Sequence, residues 1–99
     1  MDAELRFEWD ERKAAANRRK HGITFEEARF VFLDEDALLI PDEEHSHEED
    51  RFIMLGLSGH LRTLVVCHCH RQADEVIRII SARKANRAER THYGQRRAK

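Results

Sequence analysis

Apolar residues recur along this chain in alternating rhythms, and each change of rhythm falls at recognisable punctuation. Leu5 to Trp9 reads as a short strand. Asp10 then caps a helix to about Lys20, built on Ala14, Ala15 and Ala16, with positive charge at its end in Arg18, Arg19 and Lys20, and stopped by Gly22. A second helix follows at once. Thr24 and Glu27 form a T-x-x-E capping box, and Phe25, Ala28, Val31 and Phe32 recur at helical spacing as one core-facing stripe. Ala37 to Ile40 is a brief apolar run ended by Pro41, an edge or terminal strand position. Arg51 to Leu57, Leu61 to Cys69 and Glu75 to Ala82 are β-rich runs separated by Ser58-Gly59-His60 and by His70-Arg71-Gln72-Ala73-Asp74, as in an antiparallel meander. From Lys84 the rhythm is helical again. The predicted order is βααββββα: an α+β domain with two N-terminal helices and one C-terminal helix packed on a small, antiparallel-dominated sheet.

Ninety-nine residues make a single domain, residues 1–99, with one modest core, and exclude a multidomain enzyme. The net charge of −1 is uninformative, but its distribution is not. From Asp34 to Asp50 there are nine acids and no Lys or Arg, whereas from Arg78 to Lys99 eight Lys or Arg face one acid, Glu89. A cationic face and an anionic loop follow from this asymmetry. No run of 18 apolar residues exists and Met1-Asp2-Ala3-Glu4 has no leader character, so a soluble, cytoplasmic protein is expected. Cys67 and Cys69 lie two apart on a strand pattern, which disfavours a mutual disulfide.

The stretch from Val76 to Arg90 runs from an apolar strand directly into an arginine-rich helix. Arg78 and Arg83 are thereby tied to a buried strand, where a permanently charged fork calls for an anionic partner such as a phosphate. Period-two alternation sets them on opposite faces, so only one can serve a common pocket unless a bulge or twist intervenes.

Five segments in register resemble a known family: Phe7-Glu8-Trp9-Asp10, Lys13 to Asn17, Lys20 to Ala28, Asp50-Arg51-Phe52, and Arg78 to Ala85. In order, spacing and total length they resemble the BrnT toxins of bacterial type II toxin-antitoxin systems, over nearly the whole chain. The resemblance implies a RelE-like fold, ribonuclease activity that halts translation and growth, and neutralisation by a BrnA-like ribbon-helix-helix antitoxin. It also implies a 2:2 toxin-antitoxin heterotetramer that autoregulates its operon, meeting operator DNA only through the antitoxin.

The residues can be tested against such chemistry. RNA is cleaved without metal or other cofactor when its own 2′-hydroxyl attacks the neighbouring phosphate, which requires a proton acceptor, a proton donor and cations for the phosphoryl oxygens. Arg83 is the first candidate for a phosphate clamp, followed by Arg51 and Arg78. His45 and Glu49, beside Arg51, are candidates for proton transfer. Arg87 and Arg90 offer a backbone-binding rail, and Tyr93, read first as a packing ring, is the candidate for base stacking or proton donation. The runs Cys67-His68-Cys69-His70 and His45-Ser46-His47 contain metal-ligand types, but alternation sets the two thiols on one face and the two imidazoles on the other, so no metal site is expected. Trp9 is read as a core residue. A non-catalytic binding module acting as corepressor with the antitoxin is the alternative function. A generic nucleic-acid-binding protein ranks below it, for want of an aromatic platform and glycine loops.

Overall fold

The computed structural model describes residues 5–47, 49–73 and 75–98. Residues 1–4, on which the absence of a leader was read, lie outside them. Strand β1 (Arg6–Glu8) leads into helices α1 (Glu11–His21) and α2 (Phe25–Ala28), the latter continued by a 3-10 helix (Arg29–Leu33). Strand β2 (Leu38–Pro41) and a 3-10 turn (Glu43–His45) precede strands β3 (Arg51–Leu57), β4 (Thr63–Arg71) and β5 (Val76–Lys84), and helix α3 (Arg87–Arg97) follows. The five strands form one sheet in the order β1-β5-β4-β3-β2. Its neighbours are antiparallel except β1, which runs parallel to β5. This is the α+β order expected, with most element ends shifted by one to three residues and the second helix giving way to a 3-10 helix after Ala28. Strand β4 begins at Thr63 because the Ser58 N–H bonds the Arg62 carbonyl at 2.9 Å, closing a turn that takes in Leu61. Strand β5 runs on to Lys84, so α3 starts only at Arg87.

Local chemistry accounts for the helix ends. The Asp10 carboxylate accepts from the N–H groups of Arg12 and Lys13, and Gly22, at φ 71°, ends α1 in the left-handed conformation that glycine adopts without strain. The Thr24 hydroxyl accepts from the Glu27 N–H, but the reciprocal half of that capping box is replaced, because the Glu27 carboxylate turns inward to Arg62 and Ser58. The complete box belongs to α3, between Asn86 and Glu89.

The sheet has two unequal faces. Helices α1 and α2 cover one, packing Ile23, Phe25, Ala28 and Val31 against Leu64, Val66, Ile77, Ile79 and Ala82. Asn17 stitches them together: its buried amide donates to the Ile23 and Ala82 carbonyls and accepts from the Ala82 N–H. Trp9 packs edge-on against Phe25 at this core. On the other face, α3 lays Tyr93 over Leu55, Val65 and Ala85 at one end of the sheet only.

On the helix-covered face, His68 is fully buried among the rings of Phe32, Phe52 and His70. Its Nδ1 meets the Val66 carbonyl, while Nε2 has no hydrogen-bond partner among the described residues. Burial pushes its pKa down to about 4 from the ordinary 6.5, partly opposed by the Val66 carbonyl and reinforced by His70. The unfolded chain therefore binds this proton more readily than the folded one. Stability from a neutral His68 is complete above about pH 6.5 and is lost as the pH falls toward 4, roughly 3 kcal/mol in all. We expect the melting temperature of wild type to fall relative to that of His68→Leu between pH 7.5 and pH 4.5, and a constant difference would discard the assignment.

Candidate active-site cleft

The half of the sheet that α3 leaves uncovered carries the candidate chemistry. A cleft of about 240 Å³ is lined there by Asp42, His45, Arg51, Ile53, Val65, Cys67, Ile80, Ser81 and Arg83. Three segments build it. Cross-strand register sets Arg51, Ile53 and Leu55 on β3 opposite Cys69, Cys67 and Val65 on β4, so all six share one face. On β5, Ser81 pairs with Cys67 and Arg83 with Val65, which brings them to the same face. The connection after β2 supplies Asp42 and His45.

The alternation argument for β5 needs correcting. Cys67 pairs with Ser81 but His68 pairs with Ile79, so Ile80 is an inserted residue. That bulge reverses the alternation between Arg78 and Arg83 and brings both to the open face. Arg78 still lies outside the cleft: it pairs across the sheet with Cys69, and its Nη1 donates to Glu8 Oε2 at 2.7 Å. The ion pair explains why β1 carries an acid at the sheet edge.

Arg83 is in the cleft but not unengaged. Its Nη1 and Nη2 donate to the two Glu89 oxygens at 2.8 and 2.9 Å, a fork-to-fork pair. Glu89 is the single acid that the sequence shows among the C-terminal cations, and the pair holds its carboxyl below the usual range. A further Nη1 hydrogen goes to the Lys84 carbonyl at 3.3 Å, so three of its five donors are committed and Arg83 keeps its Nε edge for an anion. For Arg51, no carboxylate lies within ion-pair distance of the guanidinium among the described residues.

His45 stands at the cleft rim, its Nδ1 at 3.1 and 2.9 Å from the two Asp42 oxygens. Sequence reading missed Asp42, counting it only within an acidic loop; the D-x-x-H spacing in front of Arg51 was the available signal. Glu49 is not in the cleft. It shares a neighbouring cavity of about 300 Å³ with His45, His47 and Arg51, and its carboxylate is 3.8 Å from Arg71. Burial raises the pKa of Cys67, and Asp42 adds to the shift, so the thiol in the cleft floor stays protonated. Both cysteines are free, and Cys67 and Cys69 face the open side while His68 faces the core, as alternation predicts. Among the described residues no three His, Cys, Asp or Glu side chains are grouped to hold a metal ion.

The α3 candidates divide. Arg87 is exposed, and Arg90 is tied through Nη1 to the Ala85 carbonyl at 2.8 Å. Tyr93 is not a stacking platform: it is buried, with its hydroxyl donating to Asp34 Oδ2 at 2.5 Å. Burial and the Asp34 carboxylate push its pKa up to about 12.

Comparison with known proteins supplies the remaining finding. Residues 9–89 match the family described as the ribonuclease toxin, BrnT, of type II toxin-antitoxin systems. Among curated proteins none matches the chain. Among solved structures, the ribonuclease toxin BrnT of Brucella abortus is similar, with a TM-score of 0.65 and 26% identity over 85% of this chain and 100% of that one. No described helix is long and apolar enough to cross a membrane.

Proposed function

The chain belongs to the BrnT family of ribonuclease toxins from type II toxin-antitoxin systems, and on that premise we propose that it cleaves RNA internally at the Arg51–Arg83 cleft, without metal, to block translation. Membership of such a system implies an antitoxin partner. In our reading this is a BrnA-like ribbon-helix-helix protein that covers the toxin in a 2:2 heterotetramer and carries it to operator DNA, all within the cytoplasm.

The observation that carries the reading is the convergence of two guanidinium groups and one imidazole, from three separate segments, on one open cleft. In the reaction proposed, the 2′-hydroxyl attacks the adjacent phosphorus while His45 takes its proton. The new 2′-O–P bond forms as the P–O5′ bond breaks, leaving a 2′,3′-cyclic phosphate, and the departing 5′-oxygen takes a proton from solvent. Arg51 and Arg83 stabilise charge on the phosphoryl oxygens, where fixed donors count most. Glu49 borders the next stretch of RNA beyond Arg51, and Arg87 and Arg90 extend the cationic surface along α3.

Controlled induction in bacteria, with and without the neighbouring open reading frame, tests this directly. Growth arrest with RNA decay, rescued by the neighbour, is the expected outcome, and purified protein should cleave RNA equally well with a chelator present. Normal growth with intact RNA would overturn the reading in favour of a non-catalytic corepressor.

A further inference from the structure

We propose that Asp42 is a positioning residue for proton transfer, holding His45 in the tautomer that leaves its Nε2 lone pair for the substrate. This rests on the ribonuclease reading of the cleft. A carboxylate accepts and has no proton to give, so a ring nitrogen at 2.9 Å and 3.1 Å from its two oxygens is the one that carries hydrogen. In a neutral imidazole the other nitrogen is then the acceptor.

The environment makes the arrangement more than a surface contact. The Asp42 side chain is only 11% exposed, against 58% for His45, so the acid is anchored in the wall and the base is presented. Asp42 is fixed by its main chain. Its N–H donates to the Arg51 carbonyl at 2.8 Å, and its carbonyl accepts from the Ser46 hydroxyl at 2.7 Å. The same hydroxyl accepts from the Arg51 N–H at 2.9 Å, closing a clip that registers His45 against Arg51. None of these bonds uses the Asp42 carboxylate.

Several charged or titratable groups surround the imidazole. Arg51, Arg83 and Cys67 share the cleft with it, His47 and Glu49 share the adjoining cavity, and Glu43 and Glu44 lie on its own turn. Asp42 is the acid in hydrogen-bond contact with the ring, so its negative charge faces the imidazolium formed when His45 takes the proton.

Asp42→Asn separates these roles. Its amide can donate to Nδ1 and so favour the opposite tautomer, with the clip intact. We expect a fall in cleavage of about 100-fold and movement of the ring hydrogen from Nδ1 to Nε2 by nitrogen NMR of the imidazole. Asp42→Glu, which keeps the charge, should restore part of the rate. An unchanged His45 tautomer in Asp42→Asn overturns the proposal whatever the cleavage rate. Failure of wild type to cleave any RNA would instead sink the ribonuclease reading, while the NMR result still decides which nitrogen Asp42 holds.

Discussion

Replacing Arg83 by alanine is expected to lower RNA cleavage 100- to 1,000-fold, the usual cost, in order of magnitude, of losing one preorganised donor to a charge that develops in the transition state. Arg83 earns that expectation by its fixation. Glu89 grips two of its donors, and Glu89 is itself locked as the third residue of the α3 capping box with Asn86. In the proposed reaction the guanidinium would therefore meet a phosphate already oriented, with little side-chain entropy left to lose. The same grip means that the substitution is not silent for stability. It frees a partly exposed Glu89 carboxylate at a cost of about 1 kcal/mol, a few degrees of melting temperature in a domain of this size. Arg83→Lys should fall between, since a point charge reaches the cleft but cannot hold the fork. Oligonucleotide cleavage measured beside thermal unfolding separates the effects, and an Arg83→Ala protein cleaving within about threefold of wild type would remove Arg83 from the mechanism.

Much of this arrangement was legible in the chain, and what was not has identifiable causes. The element order followed from punctuation that acts locally: Asp10 and Gly22 at the ends of α1, Pro41 closing β2, and the Ser58-Gly59-His60 turn. The faces of β4 followed from alternation, which correctly divided Cys67 and Cys69 from His68. Alternation failed at Ile80, because a bulge is a property of two strands together and only the pairing with Cys67 and His68 reveals it. The other misses are long-range partnerships. Glu27 reads as a helix cap until Arg62, 35 residues on, takes its carboxylate. Tyr93 reads foremost as a packing ring, but nothing local shows that its hydroxyl finds Asp34, 59 residues away. Asp42 reads as loop charge because the 3-10 turn that folds His45 back onto it has no apolar rhythm of its own.

The largest loss of stability is expected from Arg62→Ala, about 2 to 3 kcal/mol at neutral pH, the cost of stranding a buried carboxylate discounted because the Arg62 side chain is itself 35% exposed. The Glu27 side chain is 2% exposed, and Arg62 donates to both its oxygens at 2.7 Å, with the Ser58 hydroxyl also at 2.7 Å and His60 at 3.4 Å. The Arg62 bonds hold the Glu27 carboxyl below its ordinary pKa of 4.5 against the opposing pull of burial, with Ser58 assisting. A lowered carboxyl contributes stability that is present above 4.5 and lost as the pH falls below it. Without Arg62 burial prevails and Glu27 protonates more easily, so the variant's deficit should shrink in acid. Adding Glu27→Gln to Arg62→Ala should recover part of the loss at neutral pH, because the stranded charge is gone while Ser58 keeps an acceptor. This dependence is separable from that of His68, which both proteins share and which runs between pH 6.5 and about 4. Denaturant unfolding at pH 7 and pH 4 decides it: a loss under about 1 kcal/mol at pH 7, or one that grows in acid, would show that the pair is tolerated as a solvated surface contact.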